Sequence, residues 1–159
     1  TVSSPITVGD LLVATCGEGG GNNLLVALRP GDHENSEPSV AYQLERGVAP
    51  YVPTPLATAE RLYLWGDRGV VTCVDPASGA TRWRGRVGGS YSSSPIAVSD
   101  VVINVSADGE VVLIADADRF EVLGRRQLDE PSRATPAVAD GRLLLRSEQR
   151  LYALDLTQP

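Results

Sequence analysis

Short apolar runs recur along the chain, and turn-forming residues bound each of them. The clearest run is VVTCV at 70–74, which is followed by the turn DPASGA and by a returning run, TRWRGRV. Short β-branched runs separated by Asp, Pro, Ser and Gly are typical of strands joined by tight turns. Because one hairpin cannot bury its apolar face alone, the pattern predicts that several hairpins pack together.

Four units of this kind repeat, and each has a proline as its third residue. The first residues of the units are SSPI at 3–6, PTPL at 53–56, SSPI at 93–96 and ATPA at 134–137. Their prolines, at positions 5, 55, 95 and 136, are therefore 50, 40 and 41 residues apart. After each proline we predict a short strand, a small polar turn, an apolar strand, a second hairpin and a third strand.

Fourth strands follow in three of the units, as VAYQL at 40–44, TRWRGRV at 81–87 and EVLGRRQL at 121–128. In this alignment Tyr42, Trp83 and Leu123 are equivalent, and we predict that they pack between neighbouring units. Proline has no N–H to donate to a β-ladder, so the first strand of each unit is expected at a sheet edge.

These features predict an all-β fold, a β-propeller built from four-stranded antiparallel blades. About four blades are expected, at 3–47, 52–88, 92–129 and 133–157, the last without its fourth strand. An immunoglobulin-like sandwich does not require the repeated register of proline, turn and aromatic residue. The first unit has two longer loops, GEGGGNN at 17–23 and GDHENSEP at 31–38. Since the glycines precede a strand, we expect a hairpin tip there rather than a phosphate-binding loop.

The charge composition argues against nucleic acid and anionic membranes as partners. The chain has 14 basic and 20 acidic residues, and a net charge of −6 opposes binding to nucleic acid or to an anionic membrane surface. No apolar run approaches the roughly 20 residues that a membrane-spanning helix needs. Cys16 and Cys73 lie in apolar strands, either as buried free thiols or as a disulfide. The chain starts at Thr1 and contains no Met, as a segment of a longer polypeptide would.

The second unit resembles the PQQ-like propeller repeat, in which an Asp-x-x-Ser/Thr-Gly turn follows an apolar strand and precedes a Trp. Asp75, Ser78, Gly79 and Trp83 match this pattern position by position, and Asp155 repeats the aspartate in the fourth unit. The other two units depart from it, with Arg29 in the first and Ala115 followed by Asp116 in the third. The whole chain is further similar to the C-terminal part of large bacterial PQQ-binding-like propeller-repeat proteins, many of them planctomycete.

This resemblance implies about half of a ring, because propellers of the family close with seven or eight blades. Exposed strand edges associate unless they are covered. We therefore expect the edges to be paired, either by a second copy in a homodimer with eight blades or by the remainder of the parent propeller. The same resemblance implies a periplasmic or other extracytoplasmic location.

Three functional hypotheses follow. The first is a non-catalytic scaffold that binds a protein or peptide, as the propeller of the outer-membrane assembly machinery does. Loops on rigid scaffolds concentrate binding residues, so Gly19, Asn22, His33 and Tyr91 are candidate interaction positions. The second is part of a PQQ- and calcium-dependent quinoprotein dehydrogenase. The third is structural support for a site elsewhere in the parent.

The dehydrogenase hypothesis requires groups that the chain does not display. The resemblance implies a quinone on a Trp platform, a calcium ion with oxygen ligands, and often a disulfide between adjacent cysteines. The chain has no adjacent cysteines, and its carboxylates fall mostly in turns. No Ser-His-Asp or paired-carboxylate spacing is visible either. We therefore expect neither PQQ nor calcium as a cofactor, and neither nucleic acid nor a membrane as a partner.

Overall fold

The computed structural model describes residues 2–17, 22–31, 36–44 and 47–156. Within these ranges the chain forms fifteen β-strands and no helix. The strands are β1 (Ile6–Val8), β2 (Leu11–Cys16), β3 (Leu24–Arg29), β4 (Ser39–Leu44), β5 (Leu56–Ala57), β6 (Leu62–Trp65), β7 (Val70–Val74), β8 (Thr81–Arg86), β9 (Ile96–Val98), β10 (Val101–Val105), β11 (Glu110–Ala115), β12 (Val122–Gln127), β13 (Ala137–Ala139), β14 (Arg142–Arg146) and β15 (Leu151–Asp155).

The strands form four antiparallel sheets, which we call blades 1 to 4 in chain order. Blades 1, 2 and 3 contain four strands each, and blade 4 contains β13, β14 and β15 in the part of the chain that the structure describes. Each strand pairs with its neighbours in sequence, so the first strand of every blade lies at a sheet edge. The predicted all-β fold and the edge position of the proline-led strands are both confirmed.

The blades pack face to face in the order of the sequence. All four residues of β6 are buried. Leu62 and Leu64 join an apolar cluster with blade 1, whereas Tyr63 and Trp65 join a second cluster with blade 3. This follows because successive side chains of a strand point to opposite faces. A third cluster joins blades 3 and 4.

A ladder of hydrogen bonds links the residues that precede the four prolines. The N–H of Ser4 donates to Thr54 Oγ1 at 3.1 Å, the N–H of Thr54 to Ser94 Oγ at 2.9 Å, and the N–H of Ser94 to Thr135 Oγ1 at 2.9 Å. Each hydroxyl therefore accepts from the preceding blade, while the N–H of the same residue, for Thr54 and Ser94, donates to the following blade. We call this set the hydroxyl ladder.

The fourth strand of each complete blade pairs with the third through a one-residue bulge. Beside the bulge, Trp83 lies opposite Cys73 in blade 2, and Tyr42 lies opposite Ala27 in blade 1. A bulge adds a residue to one strand and redirects the side chains next to it. Tyr42 and Trp83 are therefore equivalent, as the sequence predicts.

In blade 3 the equivalent residue is Gly124, which lies opposite Leu113. The prediction that Leu123 takes this position, packed between blades, is wrong. Leu123 is the bulged residue and is 49% exposed. The connection between the paired residues is 115–121 in blade 3 and 75–80 in blade 2, so one additional residue shifts the register.

The two cysteines are free, and they differ in exposure. Cys73 is buried as predicted, and burial raises the pKa of its thiol to about 11. Cys16 is exposed, so the prediction of a buried thiol is wrong there. It lies on the face of blade 1 that points away from blade 2, which no described residue covers.

Two glycines with similar backbones provide a matched test of packing. Gly79 has φ of 72°, and a Cβ there would lie 2.5 Å from Tyr42 Cδ2; Gly88 has φ of 78° and nothing within 4 Å. Gly88→Ala should lower the free energy of unfolding by about 1–2 kcal/mol, because only the backbone is strained. Gly79→Ala should cost roughly 1–3 kcal/mol more, since it also displaces the ring. Urea unfolding measures both, and equal losses would contradict the tight contact.

Candidate interaction surfaces

Asp75 organises the turn between β7 and β8. Its Oδ1 accepts hydrogen bonds from the N–H of Ala77 at 3.2 Å, and from the N–H and hydroxyl of Ser78 at 3.0 and 2.8 Å. Its Oδ2 binds Arg82 Nη2 at 2.9 Å. The Arg82 guanidinium and the Ser78 groups lower the pKa of Asp75 to about 2. Asp75, Ser78 and Gly79 therefore shape a turn, and all of the contacts made by the carboxylate are local.

Aromatic residues of the fourth strands link blade 1 to blade 2 and blade 2 to blade 3. Trp83 Nε1 donates to the carbonyl of Ala117 in blade 3 at 2.8 Å, and its ring lies 5.5 Å from that of Phe120. Tyr42 Oη donates to the carbonyl of Pro76 in blade 2 at 3.0 Å. Both therefore pack between blades, as predicted.

A polar cluster joins the first hairpin of blade 2 to the last turn of blade 3. Tyr63 Oη donates to Asp116 Oδ1 at 2.7 Å, and Arg61 Nη1 lies 3.3 Å from the same oxygen. Arg61 and Arg82 both bind Asp118 Oδ1, at 3.0 and 2.9 Å. Burial and the bond to Asp116 raise the pKa of Tyr63, while Arg82 and Arg61 lower the pKa of Asp118. These carboxylates are neutralised by arginines, so the cluster is built to join blades.

The sequence did not single out this cluster, although a signal was present. Asp116 stands one residue after the position that Asp75 occupies in blade 2, so in the repeat it is only a departure from the pattern. Arg61 precedes β6 next to Glu60, which lies 3.6 Å from its Nη2, so the sequence offers a local partner and no sign of one in another blade. Pairing these residues requires knowing which blade faces which.

The predicted interaction positions have different outcomes. Gly19 and His33 lie outside the described residues. Asn22 is exposed in the connection between β2 and β3. Asp155 ends β15 opposite Arg142, and the turn that it would organise reaches into 157–159, outside the described part.

Tyr91 does not belong to a surface, and that prediction is wrong. The residue is only 2% exposed, and its ring packs edge-on against Trp65 with centroids 5.3 Å apart. Its N–H donates to the carbonyl of Asp67 at 2.9 Å, which draws the connection onto the hairpin of blade 2. Burial raises the pKa of Tyr91 to about 12. In the sequence, a tyrosine in the stretch Gly-Gly-Ser-Tyr is typical of an exposed loop, and only its contact with Trp65 shows that it is buried.

The outward faces of blades 1 and 4 carry apolar side chains. On blade 1, Leu12 lies opposite Leu28, and it is 38% exposed because it points away from blade 2. On blade 4, Leu144 and Leu151 point away from blade 3, and Leu151 is 69% exposed. We call these two surfaces the open faces. On blades 2 and 3, the corresponding faces are covered by a neighbouring blade.

Nowhere in 2–17, 22–31, 36–44 or 47–156 do three or more His, Cys, Asp or Glu residues gather in a way that suits a metal ion. None of these ranges contains a helix of the length and hydropathy needed to cross a bilayer.

The low pKa of Asp75 predicts a pH-dependent stability. A carboxylate whose pKa is depressed in the folded state stabilises it above the unfolded pKa of about 3.9, and this contribution is lost as the pH falls towards 2. Asp75→Asn should therefore be less stable than the parent at pH 6, and the difference should shrink near pH 2. Urea unfolding at both pH values measures this. Arg82→Gln should reduce the pH dependence of the stability, because it removes the guanidinium that lowers the pKa of Asp75. An equal difference in stability between Asp75→Asn and the parent at both pH values would contradict the assignment.

Two buried tyrosines test the polar cluster. Tyr63→Phe removes the hydroxyl that donates to Asp116 and should lower the free energy of unfolding by about 1.5–3 kcal/mol. Tyr91→Phe is the control, because its hydroxyl is buried with no protein partner among the described residues and its loss should cost little. Thermal or urea unfolding of both variants makes the comparison. Equal destabilisation would show that the Tyr63–Asp116 bond adds nothing.

Comparison with solved structures shows which architecture the blades share. The chain matches BamB from Moraxella catarrhalis with a TM-score of 0.71 and 22% identity, covering 94% of this chain and 44% of that one. It matches a europium-containing methanol dehydrogenase with a TM-score of 0.60 and 13% identity, over 76% and 23% of the two chains. A computationally designed protein, Ika8, matches with a TM-score of 0.73 and 9% identity, over 95% and 44%. At these identities the likeness shows the fold alone.

The family follows from the sequence match. No curated protein matches the chain. The chain spans less than half of the length of the Moraxella catarrhalis BamB chain. Residues 32–122, more than half of the 159, match the family model described as outer membrane protein assembly factor BamB. With its repeated blades and this match, the chain belongs to the PQQ-like propeller-repeat family of outer membrane protein assembly factor BamB.

Proposed function

We propose that the chain is a non-catalytic propeller scaffold that binds protein, and that its open faces take further blades. The observation that carries the proposal is the hydroxyl ladder. Within the described residues, the ladder ends at the hydroxyl of Ser4, which has no preceding blade to accept from. On the other side it ends at the N–H of Thr135, for which the described part of the chain supplies no acceptor in a further blade.

The two ends of the ladder are complementary, since one is an acceptor and the other a donor. The open faces around them are also alike, because each presents leucines where the inner blades bury theirs. Burial of apolar area contributes roughly 25 cal/mol per Å². A second copy supplies both complementary surfaces at once, and the remainder of the parent propeller is the other source.

The polar groups of the described part support a scaffold rather than an enzyme. Asp75, Asp116 and Asp118 are held by arginines, and each has a contact that shapes a turn or joins two blades. A calcium site needs six to eight converging oxygens, at about 2.3–2.6 Å. We therefore propose no PQQ or calcium site in this chain. The family described as an outer membrane protein assembly factor supports an extracytoplasmic location.

The solution mass of the chain tests the pairing of the open faces. We expect twice the 16.8 kDa of one chain in size exclusion with light scattering, because a second copy completes both faces. Leu12→Glu places a charge on the open face of blade 1 and should give a monomer. Leu123→Glu is the control, since Leu123 is 49% exposed but lies in the bulge of β12. A folded monomer at all concentrations would rule out self-pairing and assign the open faces to the parent.

A further inference from the structure

A cleft on the outer side of the junction between blades 1 and 2 is positively charged in a chain of net charge −6. Its volume is about 360 Å³, within the range of roughly 300–1,000 Å³ that ligand clefts occupy. Arg68, Arg84 and Arg86 line it, together with Asp67. Apolar lining comes from neutral residues, Val48, Ala49 and Val70.

Within the described ranges, no carboxylate pairs with the arginines of the cleft. Arg84 Nη2 donates to the carbonyl of Gly47 at 2.8 Å, and Arg86 Nη1 to the carbonyl of Arg68 at 3.4 Å. None of the three arginines has a carboxylate partner among the described residues. The carboxylate of Asp67 accepts from the N–H groups of Tyr51 and Val52. Three arginines against one aspartate give the described lining of the cleft a net charge of +2.

The same place in blade 3 shows that this charge is not required by the fold. The residue equivalent to Arg84 is Arg125, which donates to the carbonyl of Val87 in the preceding connection, as Arg84 does to Gly47. Arg125 also binds Glu110 at 2.8 Å. The residue equivalent to Glu110 in blade 2 is Val70.

The other equivalent positions complete the contrast. Gln127 replaces Arg86, and Asp108 replaces Arg68, so the blade 3 position has one arginine against two carboxylates and a net charge of −1. Gln127 still donates to the carbonyl of Asp108, as Arg86 does to Arg68. A neutral side chain therefore makes the same structural hydrogen bond as Arg86 does. The positive charge of the blade 2 arginines is thus available to bind a ligand.

The strand beside the cleft indicates that the ligand would be an extended peptide. β8 is the last strand of blade 2, and its outer edge pairs with no described strand. Extended peptides add to such edges through main-chain hydrogen bonds. Arg84 and Arg86 are two residues apart and so lie on one face of β8. An added strand with acidic residues at alternate positions would place its carboxylates beside them.

We propose that this cleft, bounded by Arg68, Arg84 and Arg86, binds an extended acidic peptide segment that adds to the edge of β8. This rests on the proposed role of the chain as a protein-binding scaffold, and it names the partner chemistry. A long polyanion such as nucleic acid fits less well, because the net charge of −6 repels it beyond the cleft.

The test uses the 159-residue chain in the assembly that it forms in solution. The probe is a capped peptide, Thr-Glu-Thr-Glu-Thr-Glu-Thr, titrated by NMR, with Gln replacing Glu in the control peptide. We expect the acidic peptide to shift the backbone amides of 82–86 and of Gly47 and Gly66, and the Gln peptide to have no effect. A peptide with its three Glu residues adjacent should bind more weakly.

Two sets of variants make the assignment specific. R84Q/R86Q should weaken binding about tenfold or more, whereas R126Q/R133Q, an equal loss of charge outside the cleft, should leave it unchanged. Val70→Glu copies the Glu110 of blade 3, so it should pair with Arg84 and abolish binding without removing an arginine.

Four outcomes would overturn the proposal. They are equal losses in both arginine pairs, unchanged binding in Val70→Glu, amide shifts that map elsewhere, and inorganic phosphate or a DNA oligonucleotide binding at the cleft as tightly as the peptide. The solution mass is measured on the same samples. A chain that fails to self-associate but binds the peptide would refute only the pairing of the open faces, and the converse would refute only the cleft.

Discussion

Each inner blade is covered on both faces. Every side chain of the central strand β6 is buried, with Leu62 and Leu64 against blade 1 and Tyr63 and Trp65 against blade 3, so blade 2 is stabilised by both of its neighbours. An isolated sheet of this kind would leave both of its apolar faces in water. The fold resolves this by stacking, in which every inner blade covers two others. The stack is therefore the unit of stability, and the polar contacts select which blade lies against which.

Those polar contacts occur at different distances from the centre of the stack. The hydroxyl ladder joins the first strands, whereas the Trp83 and Tyr42 contacts and the Arg61–Asp116 pair join the later turns. Fixing both ends of a blade sets its angle to the next. Among the described residues, the junction between blades 3 and 4 lacks this outer contact, because Gly124 stands where blade 2 has Trp83. Leu154 is accordingly 49% exposed, while its equivalent Ile114 is completely buried.

Much of the architecture could be read from the sequence because turns and β-branched runs are local signals. The fold class, the hairpins, the edge strands and the roles of Asp75 and Trp83 all follow from residues close together in the chain. The position of Leu123 cannot be predicted from the apolar pattern, because a bulge and one extra loop residue leave no trace in it. Tyr91 and Cys16 were misplaced because burial depends on which blade covers a position. The hydroxyl ladder and the basic cleft needed the alignment of separate blades, which only the structure supplies.

The hydroxyl ladder has a direction. Every bond runs from an N–H in one blade to a hydroxyl in the next, so the two sides of any blade are chemically different. Two identical faces brought together would oppose donor to donor or acceptor to acceptor. In the proposed pairing of two copies, each contact would therefore be heterologous, front to back. Two such contacts related by a two-fold axis would use both ends of each ladder, which would prevent growth into open filaments.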